Sequence, residues 1–520
     1  MTSLALFTGA IAMQSVLDAQ RAAFQAEGFV TAAVRRDRLD RAIDLLVSHQ
    51  QRICAAVAAD FGQRPAELTQ FLDIYPSLRA LKYARRKLAR WMKPVRRRLG
   101  FPNALPGMRG EIVHQPLGVV GVISPWNFPV TLAFGPLAGI LSAGNRCMIK
   151  PSELTPATSE LLRELIAKSF DRLEVAVVTG GPEVAVAFSK LAFDHLLFTG
   201  SAQAGRQVMV AAAEHLVPVT LELGGKCPVV VGRSADVARA VDRILLGKLA
   251  NAGQVCLAPD YVWVPREGVG AFVREARSWA RRVYPGVPRN PDYTAMISAR
   301  HQHRAEELLE DARARGAEVI LLGEDVPAGA VPAAGVTVAA ADAGAMAGTA
   351  VATARAPSSA EAVGPSAFAG AVAHLFAPVL ILGATPDMRV MREEIFAPLL
   401  PVLAYDRIDA VIADIQQRER PLALYYFGSD PAEECEVLDR TVSGGVTVND
   451  VATHFLVEEL PFGGVGASGM GAYHGEHGFR RFSHARAVFR QSRFDVAALA
   501  GLRPPYGERL RRNLRLLLRR

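Results

Sequence analysis

Apolar residues recur at helical spacing between Arg, Asp and Gln over residues 16–59 and 66–91. This predicts an N-terminal block of helices, interrupted at Gly28 and Pro76. From Gly118 the pattern changes. Short β-rich runs at 119–124, 147–150, 173–179 and 195–198 alternate with helical runs at 155–170 and 202–215. Such alternation predicts βαβ units, a parallel sheet, and ligands at the carboxyl ends of its strands. A second α/β unit is expected after residue 222. It begins with a strand at 227–231 and a helix at 235–250, and continues with a helix at 304–315 and a strand at 319–322. The alternating run 482–491 suits a strand added to the segment before Gln115.

Two stretches need separate readings. Residues 115–145 carry no charge and are long enough to span a bilayer. Pro116, Pro125, Pro129 and Pro136 break a continuous helix, so a buried strand and a buried helix are expected instead. Residues 325–376 are crowded with Ala, Gly, Val, Pro and Ser. They read as a surface insertion, flexible or loosely helical, whose removal over 331–364 should leave activity measurable.

At 520 residues, half of them hydrophobic, the chain has a soluble globular composition and is too long for one very large domain. The net charge of +8 is local. Residues 85–98 hold eight Lys and Arg without an acid, the tail 508–520 holds six Arg and one Glu, and the rest is net negative. No basic face with groove-reading elements is visible, so nucleic-acid binding is not expected. The five Cys are scattered, with no CxxC pair and no nearby His cluster. That argues against disulfides or a metal site and for a reducing compartment, the cytoplasm. In the tail, Leu510, Leu514, Leu517 and Leu518 form one stripe flanked by Arg. It reads as a helix docked on its own protein or a partner subunit. The sharper alternative is a peripheral helix on an anionic membrane.

Cys256 lies in Asn251-Ala252-Gly253-Gln254-Val255-Cys256, a small-residue stretch that leaves room around a thiol. Glu222 lies in Leu221-Glu222-Leu223-Gly224-Gly225-Lys226, and Asn127 in Pro125-Trp126-Asn127-Phe128-Pro129. A thiol nucleophile, a carboxylate base and an amide donor are the parts needed to oxidise an aldehyde through a thioester. Singly, each passes for a core Cys, a surface Glu or a turn Asn.

Together with Lys150-Pro151-Ser152-Glu153, Phe198-Thr199-Gly200-Ser201, Glu394-Ile395-Phe396-Ala397-Pro398 and Pro461-Phe462-Gly463-Gly464, these strings resemble the aldehyde dehydrogenase superfamily over nearly the whole chain. The run from Gly471 through Tyr473 and His474 to Gly475 is similar to the coniferyl, class 3-like branch. The resemblance implies an α/β fold with a Rossmann-type cofactor domain, an α/β catalytic domain and a small oligomerisation flap. The corresponding division is a cofactor domain over 1–223, with a hairpin near 105–118, and a catalytic domain over 224–445. Residues 446–520 then return to the cofactor domain and flap. A homodimer is implied.

Further roles are implied by the same resemblance. Cys256 is the nucleophile, Glu222 the deacylation base, and Asn127 an oxyanion donor. Trp126, Lys150, Ser152, Glu153, Gly200, Ser201, Gly205, Leu223, Glu394 and Phe396 hold the cofactor. Glu153 favours NAD through a free ribose 2′-OH, and Lys150 leaves NADP open. Lys226 matches a motif but receives no step. Val255 stands where family members often have Thr. The substrate implied is an aromatic aldehyde of the coniferyl type, with medium or long aliphatic aldehydes close behind. A CoA-acylating enzyme is disfavoured by the base Glu222, and a non-catalytic descendant by the intact trio.

Overall fold

The N-terminal block is helical, and its first break follows local chemistry. The computed structural model describes residues 3–99, 108–323, 335–338, 373–493, 501 and 503–518. The helix Ser3–Glu27 ends at Gly28, whose φ of +63° lies in the left-handed region open to glycine. Thr31 then caps the helix Ala32–Ser48 by accepting the Val34 N–H. A break at His49, marked by no Gly or Pro, separates it from the helix Gln50–Phe61. Pro76 does not interrupt the next run as expected. Ala66–Thr69 continues into a π-helix, Gln70–Ile74, and then into Tyr75–Trp91. The Tyr75 N–H bonds the Gln70 carbonyl five residues back, and this wider turn accommodates the proline ring.

Six strands form the first sheet. Their order is Gly469–Met470, Val219–Leu223, His195–Gly200, Val119–Ile123, Arg146–Lys150, Val175–Val177. All are parallel except the first. Val119–Ile123 and Arg146–Lys150 are buried at every residue, as parallel strands covered on both faces must be. The chain moves outward from Val119–Ile123 on one side, then returns to place His195–Gly200 on the other. The carboxyl ends of those two strands therefore flank a switch point, where α/β sheets open a ligand crevice. The uncharged run 115–145 resolves into Val119–Ile123 and the helix Thr131–Ala143, buried except at Gly135. Among the described residues no helix is long and apolar enough to cross a membrane.

The second sheet runs Glu318–Leu321, Val379–Leu382, Leu399–Tyr405, Tyr261–Pro265, Pro228–Val231, Ala423–Phe427, Gly445–Val448. Only its first strand is antiparallel. Ser483–Arg490 pairs antiparallel with Arg109–Pro116, which also pairs Val95–Arg97, giving the separate three-stranded sheet expected of the run 482–491. The tail helix Glu508–Leu517 buries no residue, and Leu514, Leu517 and Leu518 are exposed.

Most of the stretch 325–376 lies outside the described residues, but its edges are ordered differently from the expectation. Gly335–Val338 pairs antiparallel with Ala373–Phe376. Leu375 and Phe376 are buried, and the Tyr293 hydroxyl donates to the Phe376 carbonyl at 3.2 Å. Leu375 and Phe376 thus belong to the core, and a deletion over 331–364 would remove a paired strand. Because Val338 pairs with Ala373, replacing 339–372 by an Asn-Gly turn preserves the ladder. That replacement is expected to hold the melting midpoint within about 3 °C and to retain turnover. Deleting 331–364 is expected to lower both. Circular-dichroism melts and rate assays of the two variants check this.

Candidate active site

The crevice at the switch point collects four motifs that are far apart in sequence. Ile123 pairs with Lys150, and Gly200 with Leu223, so these strand ends lie side by side. The Ser124 N–H donates to the Lys150 carbonyl at 3.1 Å, which places the turn leading to Trp126 and Asn127 beside Lys150. Lys150 is buried and its Nζ donates to Glu153 Oε2 at 2.8 Å. The buried Ser152 hydroxyl accepts the Leu154 N–H, so one lone pair is spent on the turn. Ser201 caps the helix Ala202–Ala213 by accepting the Ala204 N–H. Gly205 packs beneath Leu223: a Cβ there would lie 2.7 Å from the leucine side chain. The Leu223 N–H donates to the Ser468 carbonyl at 3.0 Å.

These residues fit a dinucleotide. The first turn of Ala202–Ala213 presents N–H groups without intrahelical acceptors, the setting for a pyrophosphate. Glu394 Oε1 is buried with no partner in the protein, as a carboxylate awaiting a ribose hydroxyl would be. Burial, reinforced by Asp260, pushes the Glu394 carboxyl up to about 7. A side chain at Gly224 would strike that carboxyl, so glycine there permits the approach. Phe396 is held at φ +51° with its ring edge-on to Trp126, centroids 5.6 Å apart. Two motifs 270 positions apart in sequence thus meet at one aromatic contact.

Lys226 acquires a role. Its Nζ pairs with the buried Asp260 and donates to the carbonyls of Val390 at 2.7 Å and Glu393 at 2.9 Å. Asp260 also accepts the Ile395 N–H at 2.9 Å. This clamp fixes the segment carrying Glu394 and Phe396. Asp260 was not marked by any motif; its only signal is a charge in an apolar stretch just after Cys256.

Glu222 is buried on Val219–Leu223, opposite Thr199, and neither carboxyl oxygen has a partner in the protein. Burial drives its carboxyl well above the usual carboxylate range, with Arg481 pulling weakly the other way. Cys256 follows a turn, Ala250–Gly253, in which Asn251 and Ala252 both have φ above +50° or at it. Two consecutive non-glycine residues there store strain beside the thiol. Burial first, then Glu394 and Glu222, push the Cys256 thiol up to about 12, so both carboxyls lie within electrostatic reach of the sulfur. Cys227, one of the thiols without a chemical setting in the sequence, donates its S–H to the Cys256 carbonyl at 3.4 Å.

Asn127 is tied to the same loop. Its Nδ2 donates to the Gln254 carbonyl at 3.1 Å, leaving a second N–H for a ligand. Its backbone carbonyl accepts from Asn251 Nδ2 at 3.1 Å and from Arg64 Nη1 at 2.8 Å. Arg64 in turn pairs with Asp73 at 2.6 Å, both side chains fully buried. Asp73 Oδ1 accepts the N–H groups of Val130 and Thr131. Sequence reading missed this pair, because an Arg in the short connection 62–65 and an Asp in a polar helical run look like solvated charges.

The sequence profile of the aldehyde dehydrogenase family matches residues 7–341 and 352–488. The chain belongs to the aldehyde dehydrogenase family. It is 47% identical to a coniferyl aldehyde dehydrogenase of a Pseudomonas species over 98% of this chain and 97% of that one. It is 34% identical to the 4,4′-diaponeurosporen-aldehyde dehydrogenase of Staphylococcus aureus, over 94% and 95% of the two chains. The substrate-bound structure of Staphylococcus aureus AldH superposes with a TM-score of 0.82 at 31% identity, covering 97% of this chain and 99% of that one. The fold is that of an aldehyde dehydrogenase, and the chain is an aldehyde dehydrogenase that uses a nicotinamide cofactor.

Removing one partner of the Arg64–Asp73 pair strands a buried charge. Arg64→Met is therefore expected to cost about 3–5 kcal/mol in denaturant unfolding, and Asp73→Asn less. The double variant Arg64→Met/Asp73→Leu should recover part of the loss. Equal stability of parent and Arg64→Met would show that the pair carries no such strain.

Proposed function

We propose that this aldehyde dehydrogenase oxidises an aromatic aldehyde of the coniferyl type to its acid, using NAD and a thioester on Cys256. The observation that carries the reading is the buried, unpartnered Glu222 carboxyl within electrostatic reach of the Cys256 thiol, in a chain 47% identical to a coniferyl aldehyde dehydrogenase. The residues divide the work. Cys256 gives its S–H proton to solvent, its Sγ forms the C–S bond to the carbonyl carbon, and the C=O π electrons pass to the oxygen, which becomes an oxyanion. The free N–H of Asn127 and the Cys256 backbone N–H would hold that oxygen, each worth about 3 kcal/mol. When bound, the nicotinamide supplies the hydride acceptor; Trp126, Lys150, Ser152, Glu153, Gly200, Ser201, Gly205, Leu223, Glu394 and Phe396 would hold the dinucleotide. Glu222 then takes a proton from water, whose oxygen forms the new C–O bond as the C–S bond breaks and the thiol is restored.

Lys150 already spends its charge on Glu153, which supports NAD over NADP. A second reading, a long lipophilic aldehyde, is favoured by the similarity to the 4,4′-diaponeurosporen-aldehyde dehydrogenase. The domain division that accompanies the proposal assigns 1–223 to the cofactor, 224–445 to catalysis and the three-stranded sheet to oligomerisation as a homodimer. Five free thiols suit a reducing compartment such as the cytoplasm. The exposed Leu stripe of Glu508–Leu517 would lie against a partner subunit or, in the sharper reading, an anionic membrane. Vesicle co-sedimentation with and without 508–520 separates these.

An aldehyde panel with NAD and NADP, read by absorbance of the reduced cofactor, tests the assignment. Preference for aliphatic aldehydes would overturn the aromatic reading.

Cys256→Ser is expected to abolish turnover while retaining cofactor binding by titration calorimetry. Glu222→Gln is expected to slow steady turnover about 10²–10⁴-fold while keeping a first-cycle burst of reduced cofactor. Loss of the burst as well would place Glu222 before hydride transfer.

The base works deprotonated, and burial raises its pKa. Turnover should therefore rise with pH along a limb well above the ordinary carboxylate range, and Glu222→Gln should remove or move that limb. A limb in the ordinary carboxylate range would exclude Glu222 as the group observed.

A further inference from the structure

Residues 255–258 close a turn. The Ala258 N–H donates to the Val255 carbonyl at 3.0 Å, with Cys256 and Leu257 at the centre. Neither central residue has a positive φ, which excludes a type II turn. Types I and II differ by a flip of the central peptide, here the one joining Cys256 to Leu257. One side chain holds that peptide. Cys227 is fully buried, and its S–H donates to the Cys256 carbonyl at 3.4 Å. Burial drives the Cys227 thiol well above its ordinary range, so it remains a donor. The following carbonyl is held as well: the buried Tyr425 hydroxyl donates to that of Leu257 at 2.7 Å.

In a trans peptide the carbonyl and the N–H point in opposite directions. With the carbonyl fixed on Cys227, the Leu257 N–H is turned the other way, onto the Cys256 sulfur. It donates to no oxygen among the described residues. What else faces the thiol makes this donor matter. The titratable groups around it are Glu394, Glu222, Cys227, Tyr425 and Tyr473, all of them acids. Burial and the two glutamates work against a negative sulfur, whereas the N–H groups of Cys256 and Leu257 work for it. The Cys256 N–H is shared with the oxyanion; the Leu257 N–H is free of that duty.

We propose that Cys227 is a positioning residue for the nucleophile. Its S–H holds the Cys256 carbonyl and so keeps the Leu257 N–H on Sγ, where it steadies the thiolate. This rests on Cys256 as the nucleophile.

The thiolate, not the thiol, is alkylated, so below the titration midpoint the alkylation rate falls about tenfold for each pH unit by which that midpoint rises. The test follows carbamidomethylation of the Cys256 peptide by iodoacetamide, read by mass spectrometry over roughly pH 7 to 9. It compares the parent with Cys227→Ala and Cys227→Ser. Cys227→Ala is expected to slow alkylation about tenfold across the range, the effect of one lost hydrogen bond to a charged group. Cys227→Ser, which keeps a donor, should stay within about threefold of the parent. N-ethylmaleimide, a larger reagent, should show the same factors, since a change in access alone would slow it more. Parent-like alkylation in Cys227→Ala, a Cys227→Ser variant as slow as Cys227→Ala, or factors that grow with reagent size overturn the proposal alone. Retained turnover in Cys256→Ser overturns the nucleophile reading and this proposal with it. If Cys227→Ala fails to fold, Cys227→Val, which fills the space without a donor, carries the same expectation.

Discussion

The buried pair of Arg64 and Asp73 is the contact on which the site's geometry depends. Taking two charges wholly out of water is costly, and their attraction alone does not recover the cost. Here the hydrogen bonds around them do further work. Asp73 holds the N–H groups that begin the helix Thr131–Ala143, and Arg64 holds the Asn127 carbonyl. Through Asn251, that carbonyl is joined to the loop before Cys256. The π-helix Gln70–Ile74 contains Asp73, so the unusual turn and the buried carboxylate belong to one device. An apolar replacement could fill the space, but it would leave the Val130 and Thr131 N–H groups without partners.

A second clamp repeats the logic on the other side of the crevice. Lys226 and Asp260 saturate each other and the backbone from Val390 to Ile395. Glu394 on that segment keeps Oε1 without a protein partner, and both oxygens of Glu222 likewise have none. Supports bonded to the backbone they hold, beside carboxyls with bonds to spare, are what a preorganised site requires.

This division explains what was legible in the sequence. Groups that meet ligands sit in strings with glycine, proline and aromatic residues, because the backbone must turn sharply or approach closely there. Cys256, Glu222, Asn127, Glu394 and Phe396 were visible for that reason. So were the strands expected at 119–124 and 147–150, observed as Val119–Ile123 and Arg146–Lys150, because their centres are short apolar runs. Arg64, Asp73 and Asp260 were not visible. Each is a charged residue in a locally ordinary context, and only the tertiary fold shows that it is buried and what it holds. The break at His49 and the π-turn before Pro76 were missed because packing, not a local breaker, sets them. The edge of the Ala/Gly-rich stretch was misplaced since composition cannot tell a surface segment from the strand Ala373–Phe376 that re-enters the core.

Burial also sets the resting state of the site. Low dielectric disfavours charge, so the thiol of Cys256 and the carboxyls of Glu222 and Glu394 all shift toward their protonated forms. Were all three ionised, three negative charges would share one dry crevice with no cation paired to any of them. Holding protons at rest avoids that repulsion, and the proposed attack by Cys256 would then begin with a proton leaving. The same low dielectric strengthens the donors waiting for the oxyanion, since a hydrogen bond to a new charge gains most where water competes least. In the mechanism proposed above, the environment that makes Cys256 a reluctant nucleophile therefore also makes the product of its attack stable, and Arg64, paired with Asp73, holds the Asn127 backbone that would carry the donor.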